Sequence, residues 1–139
     1  MIEFVNETEF ELNDISLYPD WLTRIINGHE KEVGDLCFIF CNDEYLHGIN
    51  MKYLNHDTYT DIITFDYVDG NYISGDIFIS LERIKENAVV NRVSFLNELL
   101  RVMSHGVLHL LGFKDKTESD AKEMRLQEDK SINMFHVEQ

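Results

Sequence analysis

At 139 residues the chain is long enough for one compact domain with a real core and too short for two ordinary ones. Hydrophobic residues make up 44% and aromatics 12%, which excludes a disordered chain, and no apolar run exceeds residues 36–41, far short of a membrane span. Twelve basic against 26 acidic side chains leave a net charge of −14, on its face unfavourable to a polyanionic partner.

The charge is uneven. Residues 1–80 hold 16 acidic and 3 basic side chains, and residues 117–139 hold 6 and 3. Between 81 and 116 the balance reverses to 4 acidic against 6 basic: Arg83, Lys85, Arg92, Arg101, Lys114 and Lys116. One mildly basic stretch inside an acidic chain weakens the objection to nucleic acid.

In chain order, residues 2–5 form a short strand candidate. The N-terminal MIEFVNETEF has no basic patch followed by an apolar stretch, so no signal peptide is visible and a cytoplasmic location is expected. Pro19 suits the first turn of a helix running to about Gly28. Residues 36–41 (LCFIFC) read as a buried strand. Its two cysteines, Cys37 and Cys41, share a face but sit ~13 Å apart, too far for a disulfide or a common metal. Two reduced core thiols suit a reducing compartment. Asn42 or Asp43 can cap a helix to about Leu54. Residues 61–67 (DIITFDY) and 73–80 read as strands joined by a hairpin-like connection through Asp69-Gly70. Helices are expected over 81–90 and 94–111. Thr117-Glu-Ser-Asp120 resembles a capping box that opens a last helix to about Phe135. Strands and helices do not alternate strictly, so the expected class is α+β, a small mixed sheet packed with helices.

The chemistry concentrates in Ser104-His-Gly-Val-Leu-His-Leu-Leu-Gly-Phe-Lys-Asp-Lys116. Residues four apart on a helix lie ~40° apart around its axis, so His105 and His109 project side by side, as two imidazoles sharing one metal ion must. Leu96, Leu99, Leu100, Met103, Val107, Leu110 and Leu111 form an apolar stripe on the other side, turning the histidines towards a surface or cleft. Gly112 tolerates the left-handed conformation that ends helices, so the chain can turn back and bring Asp115 to the same ion. Two nitrogens, one oxygen and an open fourth position make a plausible catalytic zinc site, one Zn2+ ion held by His105, His109 and Asp115. Paired histidines at this spacing also occur by chance, and Asp115 could instead support the N-terminus of the next helix. His29, His47, His56 and His136 show no ligand spacing.

The spacing is also that of metzincin metalloproteases, but those carry a glutamate general base after the first histidine, where this chain has Gly106. A peptidase of that type is therefore not expected. A helical wheel places Glu98, Arg101 and Val102 on the histidine face. Arg101 is one turn before His105, roughly 6 Å along the axis, close enough to reach a phosphate at the ion. The competing reading is a solvated arginine paired with Glu98.

On these residues the chain resembles the YbeY family of rRNA maturation factors, metal-dependent endoribonucleases. The family pattern His-Gly-x-Leu-His-Leu-x-Gly-(Tyr or Phe)-Asp-His is met by HGVLHLLGFKD. Gly75-Asp-Ile-Phe-Ile-Ser80 and Thr60-Asp-Ile-Ile-Thr-Phe65 resemble two further family segments, and the similarity spans roughly residues 54–134. Asp115 stands where the family usually has a third histidine, and Lys114 where it has aspartate; aspartate remains a competent zinc ligand. Between Asn55 and Thr60 the family's arginine-bearing loop is shortened, and its arginine has no counterpart. The resemblance implies one α+β domain over residues 1–139 that cleaves single-stranded RNA in 16S ribosomal RNA maturation and ribosome quality control. Its partners would be ribosomal RNA and the ribosome, with no DNA and no membrane. The alternatives are a ribosome-associated factor with a structural or vestigial metal site, and a metal-dependent hydrolase of a non-RNA substrate.

Overall fold

The computed structural model describes residues 1–13 and 15–137. Strand β2 (Glu32–Cys41) is the spine of the sheet. Its alternating residues send Leu36, Phe38 and Phe40 to one face and Cys37, Ile39 and Cys41 to the other. It pairs in parallel with β1 (Ile2–Asn6) on one side and with β4 (Tyr72–Ser80) on the other. The outer neighbour of β4 is β3 (Ile62–Asp66), which runs antiparallel to it as the hairpin reading requires. The sheet is thus mixed, in the order β1-β2-β4-β3.

Five helices pack on this sheet. Helix α1 (Tyr18–Gly28), α3 (Leu81–Asn91), α4 (Phe95–Leu110) and α5 (Glu118–Val137) contribute to the large core with Leu36, Phe38 and Phe40 of β2 and Ile73, Ile77 and Ile79 of β4. Helix α2 (Asp43–Leu54) covers the opposite face, where Leu46 meets Cys41 and Ile63, with Phe65 and Phe78 beside them. The fold is α+β. Among the described residues, no helix is long and apolar enough to cross a membrane.

Four helix starts follow from side-chain caps, while α1 has none and carries Pro19 in its first turn. Asn42 Oδ1 accepts the Tyr45 N–H at 2.9 Å, Ser80 Oγ that of Arg83 at 3.2 Å, Ser94 Oγ that of Asn97 at 3.0 Å, and Thr117 Oγ1 that of Asp120 at 3.0 Å. Strand β2 begins four residues before the expected start at Leu36. Its register slips between Val33 and Leu36, so the first ladder pairs lie outside the apolar run that marks the strand in the sequence. Cys37 is only half-buried, whereas burial among neighbours that include Asp43 and Glu7 pushes the Cys41 thiol up to about 12.

Helix α4 departs most from expectation. The apolar stripe is buried at Leu99, Leu100, Met103, Val107 and Leu110, but Glu98, Val102, Ser104, Gly106 and Leu108 are buried as well. It is a central helix covered on nearly every side. At Gly106 it crosses the sheet so closely that a Cβ would lie 3.0 Å from Ile62 Cδ1 and 3.1 Å from Ile77 Cδ1. Helix α5 covers another flank: Trp21 Nε1–H donates to Ser131 O at 2.8 Å, and the Trp21 ring meets Phe135 edge-on at 5.5 Å.

Leu100 is fully buried in this core. Leu100→Ala is expected to cost ~2–5 kcal/mol in urea denaturation. Leu126→Ala, on the exposed side of α5, is expected to change stability by less than ~0.5 kcal/mol.

Candidate metal centre

The two histidines leave α4 half-buried, each with Nδ1 held on one side and Nε2 aimed at a common point. His105 Nδ1 lies 2.6 Å from Glu128 Oε2, and His109 Nδ1 lies 3.0 Å from Phe113 O. A carboxylate and a carbonyl only accept, so each Nδ1–H donates and the neutral ring turns the Nε2 lone pair inward. Helix α4 then ends in a Schellman motif. Gly112 takes φ 103°, its N–H donates to His109 O at 3.0 Å, and the Phe113 N–H donates to Leu108 O at 3.0 Å. That turn reverses the chain and brings Asp115 back over the histidines. Thr117 supplies the cap of α5, which leaves the Asp115 carboxylate for the site.

His105 Nε2 and His109 Nε2 are 2.9 Å apart, and Asp115 Oδ2 lies 3.3 and 3.4 Å from them. A tetrahedral ion with bonds of about 2.0–2.1 Å holds its ligands about 3.3–3.4 Å apart, a spacing that the two His–Asp edges have and that the His–His edge falls short of. Two inward lone pairs at 2.9 Å repel unless a cation or a proton lies between them. The residues present therefore fit a metal. Burial works against a charged His105, but the hydrogen bond to Glu128 and the charges of Glu128, Asp115 and Asp61 outweigh it and raise its pKa above the ordinary value.

Arg101 lies where the helical wheel puts it, yet its guanidinium is engaged elsewhere. Nη1 donates to Glu128 Oε1 at 2.9 Å and Nη2 to Asp129 Oδ1 at 2.8 Å. Its acidic partners are thus on α5, and the expected partner Glu98 instead accepts from Asn91 Nδ2 at 3.4 Å. His47 pairs with Asp57 at 2.8 Å and stacks on Tyr59, away from the ligand group.

The ligands stand at the junction of two open lobes. The larger, of about 650 Å³, runs between α4 and β3 and is lined by Asn50, His56, Thr58 and Thr64 with His109. The smaller, of about 320 Å³, is lined by Glu98, Arg101, Arg125 and Glu128. Asp61, Ile62, His105 and Asp115 border both. Burial raises the Asp61 pKa, and its own backbone N–H, His105 and Arg83 only partly counter this. Sequence reasoning missed Asp61 and Glu128. Asp61 opens a motif read as a plain strand, and its signal was a carboxylate beside an apolar run. Glu128 stands in phase with Met124, Ile132 and Phe135, a sign of the buried face of α5, but its partners are 23 and 27 residues away and leave no local trace.

The chain is similar to known proteins over nearly its whole length. The family model described as Endoribonuclease YbeY matches residues 3–136. A Flavobacterium johnsoniae protein named Endoribonuclease YbeY is 57% identical over 139 residues, covering 100% of both chains. One of the same name from Christiangramia forsetii is 52% identical over 138 residues, covering 99% of this chain and 96% of its own. The solution structure of a Thermotoga maritima protein superposes with a TM-score of 0.69 at 25% identity, covering 99% of this chain and 91% of that one.

His105→Ala and His109→Ala are each expected to abolish stoichiometric zinc binding, read by metal analysis after gel filtration, whereas His47→Ala retains it. Asp115→His keeps the metal, because a third imidazole is also a zinc ligand. Asp115→Ala weakens binding without eliminating it.

Proposed function

The chain belongs to the Endoribonuclease YbeY family and is an endoribonuclease; on that premise we propose that it cuts single-stranded RNA at a zinc ion held by His105, His109 and Asp115. The whole of residues 1–139 serves as one such domain, acting in the cytoplasm in 16S ribosomal RNA maturation and ribosome quality control, with ribosomal RNA and the ribosome as partners. The observation that carries the reading is a cleft that continues past the ligands in both directions. An enzyme cutting inside a strand must seat nucleotides on both sides of the scissile phosphate, whereas one trimming ends needs a pocket closed on one side.

Zinc bound there supplies a Lewis acid towards a phosphoryl oxygen. The chain's own groups do the rest. Arg125 lines the smaller lobe, and Lys114 and Lys116 are exposed on either side of Asp115 in the chain, so cations lie close to an otherwise acidic cleft. Along the larger lobe β3 is an edge strand. Asp61 O accepts the Ser80 N–H and the Tyr67 N–H donates to Ser74 O, so by alternation Thr64 turns its backbone donor and acceptor away from β4, on a residue that lines the lobe. Unpaired bases offer edges to such groups, and paired ones do not. Asp61, which borders both lobes beside the candidate ligands, is placed to exchange a proton with the attacking or leaving oxygen. The net charge of −14 favours the competing reading, a hydrolase of a non-RNA substrate.

Circular single-stranded RNA, which has no ends, separates these readings. Pure protein is expected to linearise it over many turnovers, to stop when zinc is chelated, and to resume when zinc returns. RNA bound without turnover would favour the ribosome-associated factor with a structural or vestigial metal site, and neither binding nor cutting would favour a non-RNA substrate.

Asp61→Asn is expected to lower the cleavage rate by roughly 10²–10⁴-fold with zinc content and melting temperature unchanged. An unchanged rate would remove Asp61 from proton transfer.

A further inference from the structure

The cation expected from the sequence to meet a phosphate, Arg101, is saturated by carboxylates, and one of those carboxylates holds a candidate metal ligand. We propose that Glu128 is the positioning residue of the metal centre, fixing the ring and tautomer of His105, and that Arg101 anchors Glu128 in that task. The inference rests on the metal-site reading above and adds to it two residues, one of them on a different helix.

Glu128 is 5% exposed, and both its oxygens are engaged. Oε1 accepts from Arg101 Nη1 at 2.9 Å, with Arg125 Nη1 farther off at 3.8 Å, and Oε2 accepts from His105 Nδ1 at 2.6 Å. Arg101 and His105 are four residues apart on α4, so one carboxylate from α5 bridges two successive turns of the central helix. The imidazole lies between Glu128 and the ligand triangle, so Glu128 is not itself a ligand; its contact is with the far nitrogen. A carboxylate on Nδ1–H makes Nε2 the unprotonated nitrogen, strengthens it as a donor to a metal and restricts rotation of the ring. His109 has only the Phe113 carbonyl in the equivalent place. The two ligands are thus supported unequally, and His105 takes the stronger support.

Arg101 completes the arrangement by geometry. Its fork spans Glu128 and its neighbour Asp129, which prevents Glu128 from swinging out towards solvent or into the smaller lobe. Arg101 is therefore a structural cation of the site, and no free guanidinium is left on that turn of α4 to meet substrate.

The test uses the full chain in four forms: wild type, Glu128→Gln, Arg101→Met and Glu123→Gln. Glu123 is exposed on α5, and its substitution removes the same negative charge without touching His105. Zinc affinity is measured by competition with a chromophoric chelator. The ring nitrogens of His105 are observed by nitrogen-15 NMR of the metal-free proteins at alkaline pH. The expected results are zinc affinity lowered roughly 10–100-fold in Glu128→Gln, lowered in the same direction by a smaller factor in Arg101→Met, and unchanged in Glu123→Gln. In the wild type the His105 proton resides on Nδ1, and in Glu128→Gln it distributes between the two nitrogens. Wild-type zinc affinity in folded Glu128→Gln overturns the proposal, as does a wild-type His105 protonated on Nε2. Should Glu128→Gln fail to fold, the wild-type spectrum and the Arg101→Met affinity decide. A wild type that binds no zinc overturns the metal reading, while the tautomer still decides whether Glu128 governs the ring.

Discussion

Helix α4 reaches the sheet at Gly106, where a Cβ would press within 3.0–3.1 Å of the Ile62 and Ile77 side chains. The close crossing seats α4 at the centre of the molecule, with α3 and α5 packed against its remaining sides. Burial on most sides leaves its polar groups little access to bulk water, so they take partners within the protein. Glu98 takes Asn91 of α3, Ser104 Oγ donates to Arg101 O, and Arg101 and His105 share Glu128 of α5. The same crossing sets His105 against Asp61 at the entrance to β3, where both lobes of the cleft begin.

The docking of α5 is consequently part of the functional site. Trp21, fully buried, holds α5 through Ser131 and Phe135, one turn and more beyond Glu128, and so fixes how far that carboxylate reaches towards α4. The arrangement is strongly conditional. A carboxylate 5% exposed is tolerable only while its cation is present, and removing one partner of such a pair costs on the order of 3–5 kcal/mol. Precision at the ligands comes from helices locked by packing, with the Gly112 turn as the sole irregular element that carries a ligand.

Electrostatics and shape divide the work at the cleft. A chain of net charge −14 gains little from long-range attraction to RNA, so binding has to come from local contacts. These are available in the exposed lysines flanking Asp115, in Arg125, and in the free edge of β3. The connection between α2 and β3 borders the larger lobe. Asn55 ends α2 in the left-handed conformation, and Asn50 Nδ2 ties back Thr58 O at 2.9 Å, so His56, Thr58 and Thr60 line the lobe.

What the amino-acid sequence by itself determined is whatever depends on neighbours within a turn or two of chain. The apolar stripe of α4, the i, i+4 histidines, the terminating Gly112 and the returning Asp115 all lie within twenty residues, and the structure brings the three candidate ligands together as that spacing implies. The α+β class was legible in the same way, from apolar runs and caps. The start of β2 was not, because its bulged first pairs carry no apolar run. The partners of Arg101, the support of His105 by Glu128 and the place of Asp61 were decided only by tertiary structure. Each depends on two elements distant in sequence meeting at side-chain range: Met124, Ile132 and Phe135 put Glu128 in phase with the buried face of α5, but nothing local says which groups of α4 that face will meet. Local periodicity tells a helix which side to bury, but the angle and depth at which it packs select the distant charge that completes the site.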